Sequence, residues 1–467
     1  MAVSSCMRTH TFALAAVLCS SVVVAQDHAI DRDAIVQKHV QPLIDAVLIP
    51  GAMVGLYHDD KLTFHSIGTL NYDVEQAPDT NTVYEIGSIG KVITGVFFAD
   101  AIRRSEVTKH TKLQELVPEG IEVIKGADGT EIELWHLTTH TSGWGTIPVN
   151  LSPSDPDQPF HGYTEELMYA AHAEMPLNRE PGTGFEYSNF GVGTLGTVLA
   201  RNAGGEYEAL VKERIFKPLG LTSISIELND DQLARLAPPT NGGLTVKRWG
   251  DTNPIAPAGL WSATAPELIT FAMENLRETN EDSLEIYESL TNARETMFNT
   301  GYGKVAFGWM LAMDGSTYWH NGQTGGYSSY MGINHAFDTA VVVLANGATH
   351  ATTNAGAKLL QELIGMNPDP MQLEAPERLD DAYLERLVGV YRSEWGFDIT
   401  FTSAHNLLYA RVTNQNAYRV DKVGDDRFRY SAVPAELQFG FDDEGGVASS
   451  VTLFQNGAET KCVRVEE

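Results

Sequence analysis

Cysteine is almost missing from this chain: three in 467 residues, with Cys6 and Cys19 both inside the first 20. The opening stretch "MAVSSCMRTHTFALAAVLCSSVVVA" (1–25) carries Arg8 and His10 ahead of an apolar run that ends in small residues, which is the pattern of a signal peptide. Its removal leaves Cys462 alone, so an intrachain disulfide is excluded and stability must come from packing. Export without disulfides points to a bacterial periplasmic or secreted protein. Leu18 ahead of Cys19 argues against a lipid-anchoring signal. Long apolar runs are also lacking: 12–25 falls short of the roughly 20 residues a span needs, so no stable membrane insertion is expected. Positive charge is scarce, 32 basic against 61 acidic residues for a net −29. Such a surface repels phosphate backbones and anionic lipid, so a nucleic-acid partner is excluded. Gly-x-Ser-x-Gly does not occur, which removes the nucleophile elbow of the α/β-hydrolases. No repeat and no low-complexity tract is present.

A chain of this length exceeds one ordinary core. From Ala52, "AMVGLYHDDKLTFHSIG" reads as a β-hairpin turning at 58–61. After Ser88, Val92, Ile93, Phe97, Ala101 and Ile102 recur at helical spacing, which puts Ser88 at the start of a buried helix. The middle, 96–300, is mostly helical by the same test, and "SSYMGINHAFDTAVVVLANG" returns to strands around a turn at 334–338. Strands at both ends with helices between imply one sheet built from distant segments and a helical subdomain. The stretch "MNPDPMQLEAPERLDD" (366–381), with three prolines, reads as a linker. Beyond it, "FDITFTS", "LLYARVT", "RFRYSAV", "LQFGFDD" and "SSVTLFQNG" are strand-like runs of a small β-barrel or sandwich.

Three clusters carry chemistry. Ser88-x-x-Lys91 places a hydroxyl and an amine one helical turn apart, where apolar neighbours and the helix N-terminus both disfavour the ammonium form. Alone, such a pattern arises by chance about once in a chain this long. In "FEYSNFGVG", Tyr187, Ser188 and Asn189 could relay a proton and hold an amide, or Ser188 or Asn189 could simply cap a helix. In "YWHNGQTGGYSSYMG", His320, Asn321 and Gly322 lead along a strand whose glycines let a ligand lie against the backbone. "HLTTH" sets His136 and His140 four apart, a spacing that could share zinc. The glutamate of the zinc-protease motif and a third ligand are lacking, so neither a metal nor a cofactor is expected.

In this order, the three clusters resemble the motifs of the penicillin-recognising serine hydrolases, in the branch of class C β-lactamases, D-alanyl-D-alanine carboxypeptidases, D-aminopeptidases and related esterases. "LWHLTTHTSGW" (134–144), "PGTGFEYSNFGVGTLG" and "TAVVVLANG" support the resemblance. It implies an α+β fold of the β-lactamase/transpeptidase type: an antiparallel sheet flanked by helices, with a helical subdomain. The implied layout is a hydrolase domain over 26–365, the linker 366–381, and 382–467 as a C-terminal all-β barrel similar to a lipocalin. It implies Ser88 as nucleophile, with Lys91 and Tyr187 sharing base and acid duty. Asn189, His320, Gly322 and Gln323 fall at the substrate, and the backbone N–H groups of Ser88 and Gln323 form the oxyanion hole. Expected substrates are small molecules or short peptides: D-amino-acid peptides, β-lactams or esters. The alternatives are a short-chain carboxylesterase and a penicillin-binding sensor. Class C β-lactamases usually carry lysine where His320 stands. If His320 binds a substrate carboxylate, binding should weaken between pH 5 and 8 as it loses its proton.

Overall fold

A computed structural model describes residues 30–465 apart from 251, 280–283, 302 and 444, and Arg32–Glu467 cluster as one compact unit. The leader 1–25 lies outside the described residues. The first hairpin forms as strands Gly51–His58 and Lys61–Gly68, turning on Asp59 and Asp60, both at positive φ. Its first strand pairs antiparallel with Thr339–Ala345, Val54 opposite Val343. That second strand is buried along its whole length, which is why it reads as an unbroken apolar run. The sheet continues through Ser328–Asn334 and Thr317–Gln323 to three two-residue strands, Met310–Leu311, Lys304–Val305 and Phe298–Asn299. Strands Gly51–His58 and Thr339–Ala345, far apart in the chain, are thus neighbours in one antiparallel sheet.

Helices Arg32–Asp45 and Ala351–Leu363 close one face through Val36, Val40, Leu43, Leu359 and Leu360. The opposite face carries the larger core, where helices Gly90–Arg103, Asn189–Asn202 and Ala265–Glu274 meet through Val92, Phe97, Leu195 and Leu268. Helix Gly90–Arg103 is buried from Gly90 to Ala101, as a helix apolar on every side must be.

Residues 366–380 form no helix or strand, and helix Asp381–Leu387 then leads into eight strands that pair in chain order. The barrel closes with Tyr391 opposite Arg464 and Ser393 opposite Cys462. The five runs read from the sequence fall on five of these strands. Gly389–Ser393, Ala417–Gly424 and Ala458–Arg464 are additional, their alternation obscured by charged outward residues such as Arg392, Asp421 and Lys461. Tyr391, Phe401, Leu408, Phe428, Phe439 and Cys462 fill the interior, as a barrel of eight strands requires.

Candidate active site

The Ser88 segment is pinned from both sides. Strand Val83–Glu85 pairs with Ser262–Thr264, and Ile86 donates its N–H to the Trp261 carbonyl while its own carbonyl accepts from Ser329 Oγ at 2.7 Å. Ser88 then sits in the 3-10 turn Gly87–Ile89, one step before the α-helix begins at Gly90. Gly87 has φ of 51° and faces the backbone nitrogen of Gln323 so closely that a Cβ would overlap it. Gly322 is buried with its Cα against the Ile86 carbonyl, where a Cβ would also collide. It contributes closeness between strand Thr317–Gln323 and the Ser88 turn, and this brings Gln323 N beside Gly87.

Lys91 is fully enclosed, at 0% exposure. Its Nζ lies 2.9 Å from Ser88 Oγ and 2.5 Å from the Ala258 carbonyl. Burial pushes its pKa well below the ordinary lysine value, which favours the free amine. The Tyr187 hydroxyl is hydrogen-bonded to Ser88, and burial pushes that phenol up, keeping it protonated. Lys91 Nζ lies 4.9 Å from the centre of the Tyr187 ring. The capping reading of "YSN" holds: Ser188 caps helix Asn189–Asn202 by accepting from Gly191 N–H at 2.9 Å, and this cap presents Tyr187 to Ser88. Asn189, the first helical residue, donates its backbone N–H to the Thr146 carbonyl at 2.9 Å and keeps its side chain partly exposed.

His140 is a partner that the sequence offered only as half of a zinc pair. Helix Leu134–Thr138 ends before it, and its φ of 60° turns it away from the His136 face. His136 Nδ1 accepts from Glu133 N–H at 3.0 Å, and His140 Nδ1 accepts from Ser188 N–H at 3.1 Å, so both are engaged by backbone. The His140 ring stacks on Tyr187 at 4.3 Å between centroids. Burial, reinforced by Lys91, holds it neutral.

His320 departs from expectation. It is 1% exposed, and burial, reinforced by Lys91, lowers its pKa to about 3. Its Nδ1 lies 2.6 Å from the Asn321 carbonyl, which fixes Nδ1 as donor and leaves Nε2 a buried acceptor with no partner among the described residues. That direction argues against a proton-dependent cation at His320 between pH 5 and 8, the titration expected from the sequence. The Ala258 carbonyl that holds Lys91 belongs to the 3-10 turn Ala256–Ala258, and no side-chain pattern could have marked it. Ala256 and Pro257 also line a cavity of about 1210 Å³ whose walls include none of Ser88, Lys91, Tyr187, Asn189, His320 and Gln323.

A family model described as Beta-lactamase matches residues 36–365. The β-lactamase of Yersinia enterocolitica is 26% identical over 203 residues, 44% of this chain and 49% of that one, so the chain spans about half of that relative. Penicillin-binding protein 4 of Amycolatopsis lactamdurans is 26% identical over 394 residues, 77% of this chain and 98% of its own length. Among solved structures, a β-lactamase/D-alanine carboxypeptidase from Pseudomonas syringae superposes with a TM-score of 0.62 at 19% identity, covering 73% of this chain and 100% of that one. A class C β-lactamase gives 0.63 at 18%, with 73% and 99% covered. At these identities the structural likeness establishes the fold.

Proposed function

The chain belongs to the beta-lactamase family, and from that premise we propose a serine hydrolase that works through an acyl-Ser88 intermediate on amides or esters of small molecules and short peptides. The observation that carries this is the enclosed Lys91 amine 2.9 Å from Ser88 Oγ, with its other side tied to the Ala258 carbonyl. A buried free amine takes the Ser88 proton as Oγ bonds to the substrate carbonyl carbon. The N–H groups of Ser88 and Gln323 receive the developing oxyanion. Tyr187, held as a phenol, passes a proton to the leaving group as its bond to carbon breaks, and Lys91 resupplies it. Water then attacks the acyl-enzyme by the reverse relay, releasing the acid and restoring Ser88. Asn189, at the partly exposed helix start, orients the substrate amide. Ser88→Ala should abolish labelling by a fluorophosphonate and lower ester hydrolysis by at least roughly a thousandfold. Full activity in that variant would sink the assignment.

A second reading, toward uncharged esters, is favoured by His320. D-Ala-D-Ala peptides and β-lactams bring a carboxylate, and a neutral imidazole with an acceptor Nε2 offers it no counter-charge. The ratio of kcat/KM for a short-chain nitrophenyl ester to that for a penicillin should be high in the native protein and fall in His320→Lys. An unchanged ratio would return the choice to D-peptides. Export rests on the leader 1–25, and sequencing the mature N-terminus tests it.

A further inference from the structure

The outer face of the barrel is buried where strands Leu407–Val412 and Ala417–Gly424 run side by side. Alternation turns Leu408 and Ala410 into the barrel, while Leu407 and Tyr409 point outward. Both outward residues are nonetheless enclosed, at 2% and 0%, packed with Val47, Tyr72 and Leu244 of the hydrolase body. Arg419, opposite Tyr409 in register, donates to the carbonyls of Ala46 at 2.7 Å and Val47 at 3.2 Å. The Tyr409 hydroxyl donates to the Gly242 carbonyl at 2.9 Å. Gly242 is the tip of a hairpin, Thr240–Asn241 with Leu244–Thr245. Two-residue strands cannot hold a position by themselves, so what the hairpin touches decides where it sits. Its base is tied to the main sheet, Thr240 N–H to the Gly326 carbonyl at 3.1 Å and Thr240 Oγ1 to the Asn346 carbonyl at 2.6 Å. Its tip is held by the barrel.

The chain leaving this hairpin runs directly to the active site. Val246 donates its N–H to the Pro239 carbonyl, and the N–H groups of Trp249 and Gly250 donate to the buried Glu85 carboxylate at 3.3 and 2.6 Å. Glu85 lies three residues before Ser88. The Trp249 indole rests on Gly325, where a Cβ would stand only 2.5 Å from Nε1, and Phe160 meets it edge-on at 5.7 Å. Gly325 lies two residues beyond Gln323. An unbroken series of contacts therefore joins Tyr409 of the barrel to both backbone segments beside the nucleophile.

We propose that the C-terminal barrel is a positioning element of the hydrolase site: through the hairpin tip at Gly242, Tyr409 holds Trp249 against the 323–326 turn and so fixes one wall of the substrate cleft. The inference rests on the Ser88 reading for its consequence in turnover, and on geometry alone for its consequence in dynamics. The test uses the full chain. Tyr409→Phe keeps the ring in its packing and removes only the hydroxyl. It should raise KM for an ester reporter roughly three- to tenfold, the size expected for one lost hydrogen bond, with a smaller change in kcat. Hydrogen exchange should quicken in peptides covering 240–250 and 323–327. Trp249→Ala should reproduce the rise in KM, and the double variant should add nothing further, because both act on one wall. Unchanged KM and exchange in Tyr409→Phe, or effects that multiply in the double variant, would overturn the proposal. Exchange is read without turnover, so its outcome stays distinct from any failure of the Ser88 assignment.

Discussion

Enclosure lowers the proton affinity of Lys91, the amine that activates Ser88 in the proposed reaction. An unfolded lysine holds its proton up to about pH 10.4, whereas the folded Lys91 gives it up far earlier. Between those two values the unfolded chain binds more protons than the native one, so this group's contribution to stability rises with pH. Lys91→Met removes the dependence along with the activity. The wild-type stability minus that of the variant, from urea unfolding, should climb between pH 7 and 10 by up to about 1.4 kcal/mol per pH unit; parallel stability curves would mean a charged lysine in the native state. Turnover should run in the same sense, falling as acid protonates the amine. His140 acts at one remove: with its ring 4.3 Å from that of Tyr187 and its Nδ1 taken by Ser188 N–H, it steadies the phenol. His140→Ala should therefore lower kcat about ten- to a hundredfold with KM little altered, and a change confined to KM would refute it. That Ser88, Lys91 and Tyr187 meet was legible in the sequence because the chemistry proposed for them needs particular side chains at short or ordered spacings. The Ala258 carbonyl was not, since a backbone acceptor leaves no mark in composition. The state of His320 was hidden too, because its Nδ1 partner is the carbonyl of its own neighbour.

Between elements, the site depends on how closely strand Thr317–Gln323 approaches the Ser88 turn. Gly322 against Ile86 sets that spacing, and the Ser329 hydroxyl bonded to the Ile86 carbonyl locks it. A methyl at 322 has nowhere to go but into backbone, so strand and turn must part. Gly322→Ala should cost about 1 to 3 kcal/mol of stability by overpacking, and it should slow acylation of Ser88 far more than Ala substitution at an outward barrel position. Stopped-flow labelling with a fluorophosphonate, with unfolding measured in parallel, checks both parts, and a normal labelling rate would show that the spacing is not critical. The same contrast explains how much of the fold could be read. The hairpin at 52–68 and the strands at 328–345 declared themselves through alternation or unbroken apolar runs. The hairpin Thr240–Asn241 with Leu244–Thr245 did not, because strands of two residues have no period. Three barrel strands escaped for a related reason: charged residues on their outer face, such as Asp421 and Lys461, break the apolar pattern while the inward side chains still fill the core.

Over the whole molecule two charge effects oppose each other as the medium becomes acidic. The net −29 at pH 7 repels itself, and acidification toward the sequence pI of about 4.8 relieves that repulsion. Against this, His39, His136, His140, His172, His320 and His335 are all held below the ordinary 6.5, burial being the largest cause in each. As pH falls through 6.5 the unfolded chain takes up protons at these histidines that the native chain refuses until far lower pH, about 4 for His136, His172 and His335 and about 3 for His320. Stability from each is complete above 6.5 and is lost below it at up to about 1.4 kcal/mol per pH unit. Surface repulsion is screened within about 8 Å at physiological ionic strength and about 3 Å in 1 M salt, whereas buried histidines are scarcely screened. The histidines should therefore win. In 1 M NaCl, where relief of repulsion contributes little, the thermal midpoint should fall continuously from pH 6.5 to 4.5. At low salt the same fall should be shallower, and at pH 7 added salt should raise the midpoint. Calorimetry across pH at the two ionic strengths decides it, and a midpoint that peaks near pH 4.8 in both would mean that self-repulsion, not the buried imidazoles, governs the acid response.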